Sequence, residues 1–283
     1  MKIKITADRM IDLPKEKLDE LDISTMSCFV NMGGESYEDL IDIFPDDVFE
    51  HLRKTGEIAK TAAKSEDHYY DFFKPFASKD TAIIHFATSS GISMLCHNAT
   101  IAAKRLPNTY VIDTKMLSNG IALLVGYAME LIKNGETNPK KICDLVREKR
   151  EKLQGSFVID TLECLYKGGR CSSLQYFGAN LLKLKPVITM DSKTGNMIVR
   201  EKCRGNRKRA VTQYIANTFK KYPDPDLKDL YLIHFCKDKE MVKYFIDTVK
   251  SYHHFENVHM GQTGCNCSIH AGPNTFGMFY FVK

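Results

Sequence analysis

Hydroxyls crowd one short segment of this chain. Thr88-Ser89-Ser90-Gly91-Ile92-Ser93 follows an apolar run from Thr81 to Ala87 and leads into a helical pattern. Unpaired backbone N–H groups, hydroxyl donors and the helix dipole would together make a seat for an anion there. A capped strand-to-helix turn accounts for the same residues without a ligand. Ser89 or Ser90 suffices as the cap, which leaves Ser93 as the surplus hydroxyl. A second segment, Gly261 to Pro273, is dominated by small and turn-forming residues that let backbone approach a ligand closely. Its single imidazole, His270, can donate to an anion or relay a hydrogen bond. Cys265, Cys267 and His270 invite a metal reading, although no second ligand pair at a familiar spacing supports it. Lys60-Thr61 adds a hydroxyl on what reads as a loop between helices.

Basic residues gather at Gly168-Gly169-Arg170 and at Arg204-Gly205-Asn206-Arg207-Lys208-Arg209. Either run serves as solvated surface or as a docking patch for an acidic or phosphorylated partner. Asp8 and Asp12 are close enough in sequence to be paired catalytic carboxylates. The structural alternative has Asp12 capping the helix that Pro14 opens and Asp8 ending a strand. No nucleophile–base pair stands out, and Walker-type and dinucleotide glycine patterns are both missing, which weakens the case for an enzyme.

The elements that must position these residues alternate regularly at first. Strands are expected at Lys2–Ala7, Ser24–Met32, Thr81–Ala87 and Tyr110–Asp113. Helices are expected between and after them, with Ser65 and Asn138 as N-caps and Gly56 as a C-terminal stop. Such alternation predicts a parallel sheet with helices on both faces. After Gly155 the pattern changes to an α+β, mixed-sheet texture. It includes a helix over about Ser172–Leu184 and a hairpin turning at Ser192–Asn196. The expected architecture is therefore α/β in two domains, residues 1–154 and 155–283.

Bulk composition sets outer limits. The chain has 283 residues, is 43% hydrophobic and 27% charged, and contains no Trp. A net charge of +5 is too small to argue for nucleic acid but suits an anionic ligand or an acidic partner. The basic runs lack the aromatic interleaving of a nucleic-acid surface. Ile121 to Ile132, the most hydrophobic stretch, carries Glu130 and is shorter than the ~20 apolar residues of a membrane span. MKIKITAD reads as a strand, not an export signal, so the nine cysteines are expected as reduced thiols in a cytoplasmic protein.

Taken in order, these segments resemble the DegV family, the fatty-acid-binding proteins that serve bacterial fatty acid kinase. The resemblance rests on Ile5-Thr6-Ala7-Asp8, Asp12-Leu13-Pro14, Lys60-Thr61, Thr88 to Ser93, and Val111-Ile112-Asp113-Thr114. It continues through Asp160-Thr161-Leu162-Glu163, Lys167 to Arg170, Leu184-Lys185-Pro186 and Arg204-Gly205, and closes with Ile269-His270-Ala271-Gly272-Pro273. It implies two α/β domains, an acyl chain in an apolar tunnel, and a carboxylate held by Thr61, Ser93 and His270. Ser89, Ser90, Gly91 and Gly272 complete the implied binding set, and Arg170 and Arg204 form the implied partner surface. The implied protein is a carrier, monomeric when free and without cofactor, metal or turnover. A separate kinase catalytic subunit would phosphorylate the bound carboxylate. Three departures bear on ligand choice: Ala62-Ala63-Lys64-Ser65 where the family has Ser-Gln-Pro-Ser, Met94-Leu95 after Ser93, and Arg9 after Asp8. The competing reading is a small-molecule phosphotransferase or hydrolase. It would use the serine loop for phosphate and Asp8 or His270 for proton transfer.

Overall fold

The computed structural model of the chain describes residues 1–170 and 184–283. The helix expected over Ser172–Leu184 lies outside these residues, apart from its last position. In the first half the alternation does produce a parallel sheet. β1 (Lys2–Asp8), β2 (Ser24–Met26), β6 (Thr81–Ala87) and β7 (Thr109–Asp113) lie in the order β2-β1-β6-β7. Six consecutive residues of β6 are buried, as a strand covered on both faces requires. The covering helices come in two packed pairs, α3 (Glu66–Phe73) with α4 (Leu95–Ala103) and α5 (Asn119–Lys133) with α6 (Pro139–Arg150). The expected caps are in place. Ser65 accepts from the His68 amide, Asn138 accepts from Lys140 and Lys141, and Gly56 takes φ 73° after α2 (Pro45–Thr55). Asp12 does not cap α1 (Lys15–Glu20), whose N-cap is Pro14.

Lys60-Thr61 is not a loop. β3 (Phe29–Met32), β4 (Glu35–Glu38) and β5 (Lys60–Ala62) form a small antiparallel sheet in which Thr61 pairs with Val30. Three residues carry too little periodicity to be read as a strand, so the pairing partner decides the conformation.

The strand set changes over between α6 and β8 (Leu153–Val158). With β9 (Leu184–Met190), β10 (Met197–Arg204), β11 (Pro225–His234), β12 (Asn257–Met260) and β13 (Phe276–Val282) it forms a six-stranded sheet, ordered β10-β9-β8-β13-β11-β12. All its pairings are antiparallel except β11 with β12. Alternation sends Met278 and Tyr280 into one core with α8 (Arg207–Lys221) and α9 (Lys239–Tyr252). Phe157, Ile233, Phe279 and Phe281 point the other way, into a core shared with Ile5, Phe86 and Leu124 of the first half. The two halves are therefore packed through one continuous apolar layer. α7 (Glu163–Lys167) and α10 (Cys265–Ala271) border that layer. No helix among the described residues is long and apolar enough to cross a membrane.

The turn between β9 and β10 leans on the serine-rich loop. Ser89 Oγ donates to the Gly195 carbonyl at 2.7 Å. A Cβ at Gly91 would collide with the Gly195 backbone and lie 2.7 Å from the Asn196 nitrogen. Gly126, inside α5, has nothing within 4 Å of the same position. Gly91→Ala is expected to destabilise by about 1–3 kcal/mol through overpacking. Gly126→Ala is expected to stabilise by about 0.5–1 kcal/mol through helix propensity. Thermal or urea unfolding of the pair measures both signs.

Candidate functional site

α10 brings the site together. The segment Gly261–Pro273 reads as a glycine-rich loop, yet Cys265–Ala271 is a helix whose seven residues are all buried. Small side chains allow that burial on every side, where it packs against α2, α7 and β5. Its N-terminus meets two carboxylates from the first half of the chain. Asp39 accepts from the Cys265 amide at 2.7 Å and the Asn266 amide at 3.1 Å. Asp12 accepts from the Gly264 amide at 3.1 Å. Negative charge at these unpaired N–H groups is favoured by the helix dipole. A Cβ on Gly264 would sit 2.8 Å from Asp39 Oδ2, so glycine is needed for the approach.

Held at that end, the helix delivers His270 one turn after Asn266. His270 Nε2 and Thr61 Oγ1 are 3.0 Å apart, joining α10 to β5 across 209 residues of sequence. Nδ1 is buried and has no hydrogen-bond partner among the described residues. Gly168 lies directly against the Nδ1 edge of the ring, since a Cβ there would collide with Nδ1 and lie 2.8 Å from Cε1. Burial, then the charge of Arg170, lowers the His270 pKa to about 3, so the ring is neutral at neutral pH.

His270 forms part of the wall of a narrow cavity of about 540 Å³, counted with the open solvent at its mouth. Ser93, Arg170 and Asn266 supply its other hydrogen-bonding side chains, and the Cys267 thiol also faces it. The rest is apolar: Met10, Ile92 and Leu117 from the first half, Phe157, Ile233 and Phe235 from the six-stranded sheet, with Leu165, Met197 and Ala271. Arg170 is half-buried and donates to the Gly168 carbonyl at 2.6 Å. The space is a greasy slot with a few polar groups, the composition typical of a small-molecule site.

Of the residues singled out in the sequence, Ser93, Arg170 and His270 meet at this cavity, with Thr61 behind the imidazole. The others have different work. Ser89 is fully buried on the Gly195 carbonyl. Ser90 is exposed, with its hydroxyl 2.5 Å from Asp113 and 2.9 Å from Lys115. Gly91 makes room for the β9–β10 turn. Gly272 ends α10 at φ 74° against Cys164, and Arg204 lies at the far end of β10. None of these five is among the cavity's lining residues. Nor does the serine loop form a helix N-terminal anion seat. α4 begins only at Leu95, after Met94, and the Ser93 hydroxyl accepts from the Leu95 amide at 3.3 Å.

Asp8 and Asp12 are not a carboxylate pair. Asp8 accepts from the Thr88 amide at 2.6 Å and from the Tyr69 hydroxyl, with His85 Nε2 at 3.2 Å. Asp12 is fully buried, and burial raises its pKa to about 7 against the bonds it accepts. Its Oδ2 and the Ser118 hydroxyl are buried neighbours without a well-formed hydrogen bond. Among the described residues no His, Cys, Asp or Glu group is arranged to hold a metal. The Cys265 thiol donates to the Ile43 carbonyl at 3.3 Å, and burial pushes both Cys265 and Cys267 upward. These thiols are protonated packing groups. Sequence reading overlooked Asn266 and Asp39. The i, i+4 spacing of Asn266 and His270 was the available signal for the first, once the segment is recognised as helical.

A profile of the DegV family, described as an uncharacterised protein family, matches residues 2–283. The chain belongs to the DegV family. It is 26% identical over 284 residues to a fatty acid-binding protein of Thermotoga maritima, covering 98% of this chain and 96% of that one. Among solved structures, DegV of Bacillus subtilis, described as a fatty acid binding protein, superposes with a TM-score of 0.86. The two are 25% identical, with full coverage of both chains. A DegV family protein from Thermus thermophilus, described by its fatty acid binding, shares the fold at TM-score 0.91 and 23% identity over both whole chains.

The two buried groups at either end of α10 titrate in opposite directions. Asp12 has a folded pKa raised from 3.8 to about 7, so its contribution to stability falls as pH rises through that window. His270 has a folded pKa lowered from 6.5 to about 3, so its contribution falls as pH drops through that window. In the wild type the two slopes oppose each other. Asp12→Asn is expected to leave a net gain of stability with rising pH, and His270→Asn a net loss. Each changes the slope by about 1.4 kcal/mol per pH unit. Urea unfolding at a series of pH values between these limits reads the sign directly.

Proposed function

We propose that this protein binds a long-chain fatty acid, its hydrocarbon in the cavity and its carboxylate at Ser93, His270 and Arg170. The observation that carries the reading is the Nδ1 of a buried, neutral imidazole, unpaired among the described residues, on the wall of a mostly apolar slot that also holds Ser93 and Arg170. In the tautomer in which Thr61 donates to Nε2, the ring proton sits on Nδ1 and can be donated to an anion. Ser93 adds a hydroxyl donor and Arg170 a positive charge. Each buried methylene contributes about 0.8 kcal/mol, so a long chain supplies on the order of ten kcal/mol gross. That gain offsets immobilisation and loss of head-group hydration. The binding described for the Thermotoga and Bacillus relatives supports the same reading.

The carrier role follows from the way the head group is held. Hydroxyl and imidazole donors share the carboxylate with a half-buried guanidinium, so it is held without being enclosed in a fully buried ion pair and stays available for transfer. We assign the protein to the cytoplasm, monomeric when free, where a fatty acid kinase catalytic subunit would convert the bound carboxylate to an acyl phosphate. Arg204, away from the cavity lining, belongs to the partner surface in this scheme, whereas Arg170 serves the head group as well.

Mass spectrometry of protein purified from cells is expected to show a stoichiometric fatty acid. Ser93→Ala should weaken binding of oleic acid about tenfold or more, with ligand-free stability nearly unchanged. Equal affinity in the two proteins would remove Ser93 from the site. For the transfer step, Arg204→Glu should lower acyl phosphate formation by an added fatty acid kinase while fatty-acid affinity holds. Arg170→Glu should lower both. Parallel losses in the Arg204 variant would assign that residue to binding or folding instead.

A further inference from the structure

The cavity and a second, open groove lie on the same face of the six-stranded sheet, one after the other along the strands. From the α10 end, the first cross-strand position is Phe235, whose amide donates to the Thr275 carbonyl at 3.0 Å. Thr275 in turn donates to the Ala271 carbonyl at 3.0 Å, just beyond His270. The next inward-facing row is Phe157–Gly277–Ile233, across β8, β13 and β11. Phe235, Phe157 and Ile233 all line the cavity. Two residues further on comes Gly155–Phe279–Tyr231. Here the lining changes: Tyr231 and Phe281 belong to the groove, of about 1270 Å³ with its solvent, together with Ala122, Leu123 and Tyr127 of α5. Each row advances roughly 7 Å from the polar end.

Phe279 stands between the two spaces. It is 1% exposed, and Gly155 beside it leaves the room its ring occupies. A Cβ on Gly155 would lie 2.9 Å from Phe279 Cδ1 and 3.0 Å from Met116 Sδ, so the ring and the thioether meet over that glycine. Met116 immediately precedes Leu117, a cavity residue, on the opposing layer. Ring and thioether thus close the seam between sheet and α5 at the row where one space ends and the other begins.

We propose that Phe279, backed by Met116, is the end wall that sets the longest acyl chain this protein accepts. This inference rests on the fatty-acid reading above. A chain anchored at His270 runs past Phe235 and the Gly277 row, and its methyl end stops at the Phe279 ring. Phe279→Ala would join the cavity to the groove, where Leu123, Tyr231 and Phe281 can take further methylenes before charged residues such as Lys149 and Asp229 are met.

Affinities for the saturated series from myristic to behenic acid, measured on the intact chain, test this. In the wild type, affinity should climb by roughly fourfold per methylene until the wall is reached, and then stop climbing. In Phe279→Ala the break should move to longer acids, raising the arachidic-to-palmitic affinity ratio about tenfold or more. Met116→Ala should move it in the same direction by less. An unchanged break in folded Phe279→Ala overturns the assignment. Should that variant not fold, the Met116→Ala series decides: a shift supports the wall and no shift overturns it. Wild-type protein that binds no acid of any length would instead defeat the fatty-acid reading itself.

Discussion

Two buried carboxylates on one helix N-terminus hold this site together. Asp39 and Asp12 come from the first forty residues, and the amides they accept belong to residues 264–266. A seven-residue helix is too short to persist without tertiary support. Its unpaired N–H groups, buried without partners, would cost more than the helix gains. The carboxylates remove that cost and at the same time cross-link the two ends of the chain. Everything at the other end of α10 depends on this anchor. The Thr61–His270 contact, the Gly168 seat under the ring and the position of Asn266 all follow from where the helix is pinned.

Burying carboxylates has a consequence of its own. Asp39 has its oxygens on two backbone amides, whereas one oxygen of Asp12 is buried with no well-formed bond. Asp12 therefore takes up a proton near pH 7, at the N-terminal end of the helix that bears an imidazole neutral down to about pH 3. Arg9 lies near both carboxylates, and its own burial lowers its pKa. The polar framework at the α10 end of the cavity is thus largely uncharged near neutral pH, and Arg170 supplies positive charge to the lining.

The serine-rich loop shows how one motif divides its labour. Ser93 faces the cavity, while Ser89 and Gly91 receive the β9–β10 turn and Ser90 joins Asp113 and Lys115. The last of these also reaches the turn, with Lys115 Nζ 3.4 Å from the Thr194 carbonyl. Hydroxyls that look interchangeable in sequence separate because the backbone turns through three residues before α4 begins. Their directions are fixed by that turn and by what packs on it.

Local chemistry was enough to determine the α/β alternation, the caps at Ser65 and Asn138, the stop at Gly56 and the hairpin around Gly195. Each depends on residues a few positions apart. The ordered set of short motifs likewise pointed to the DegV family, and it singled out Ser93 and His270, which the fold brings to one cavity. Tertiary structure alone decided that Lys60-Thr61 is a strand, that Cys265–Ala271 is a helix, and that Asp12 and Asp39 hold it. It also decided which hydroxyl of the serine loop faces the cavity and that Phe279 packs over Gly155. These features join residues tens to hundreds of positions apart. Their free energy comes from burial and from hydrogen bonds completed only when distant segments meet, and neither is encoded in local propensity.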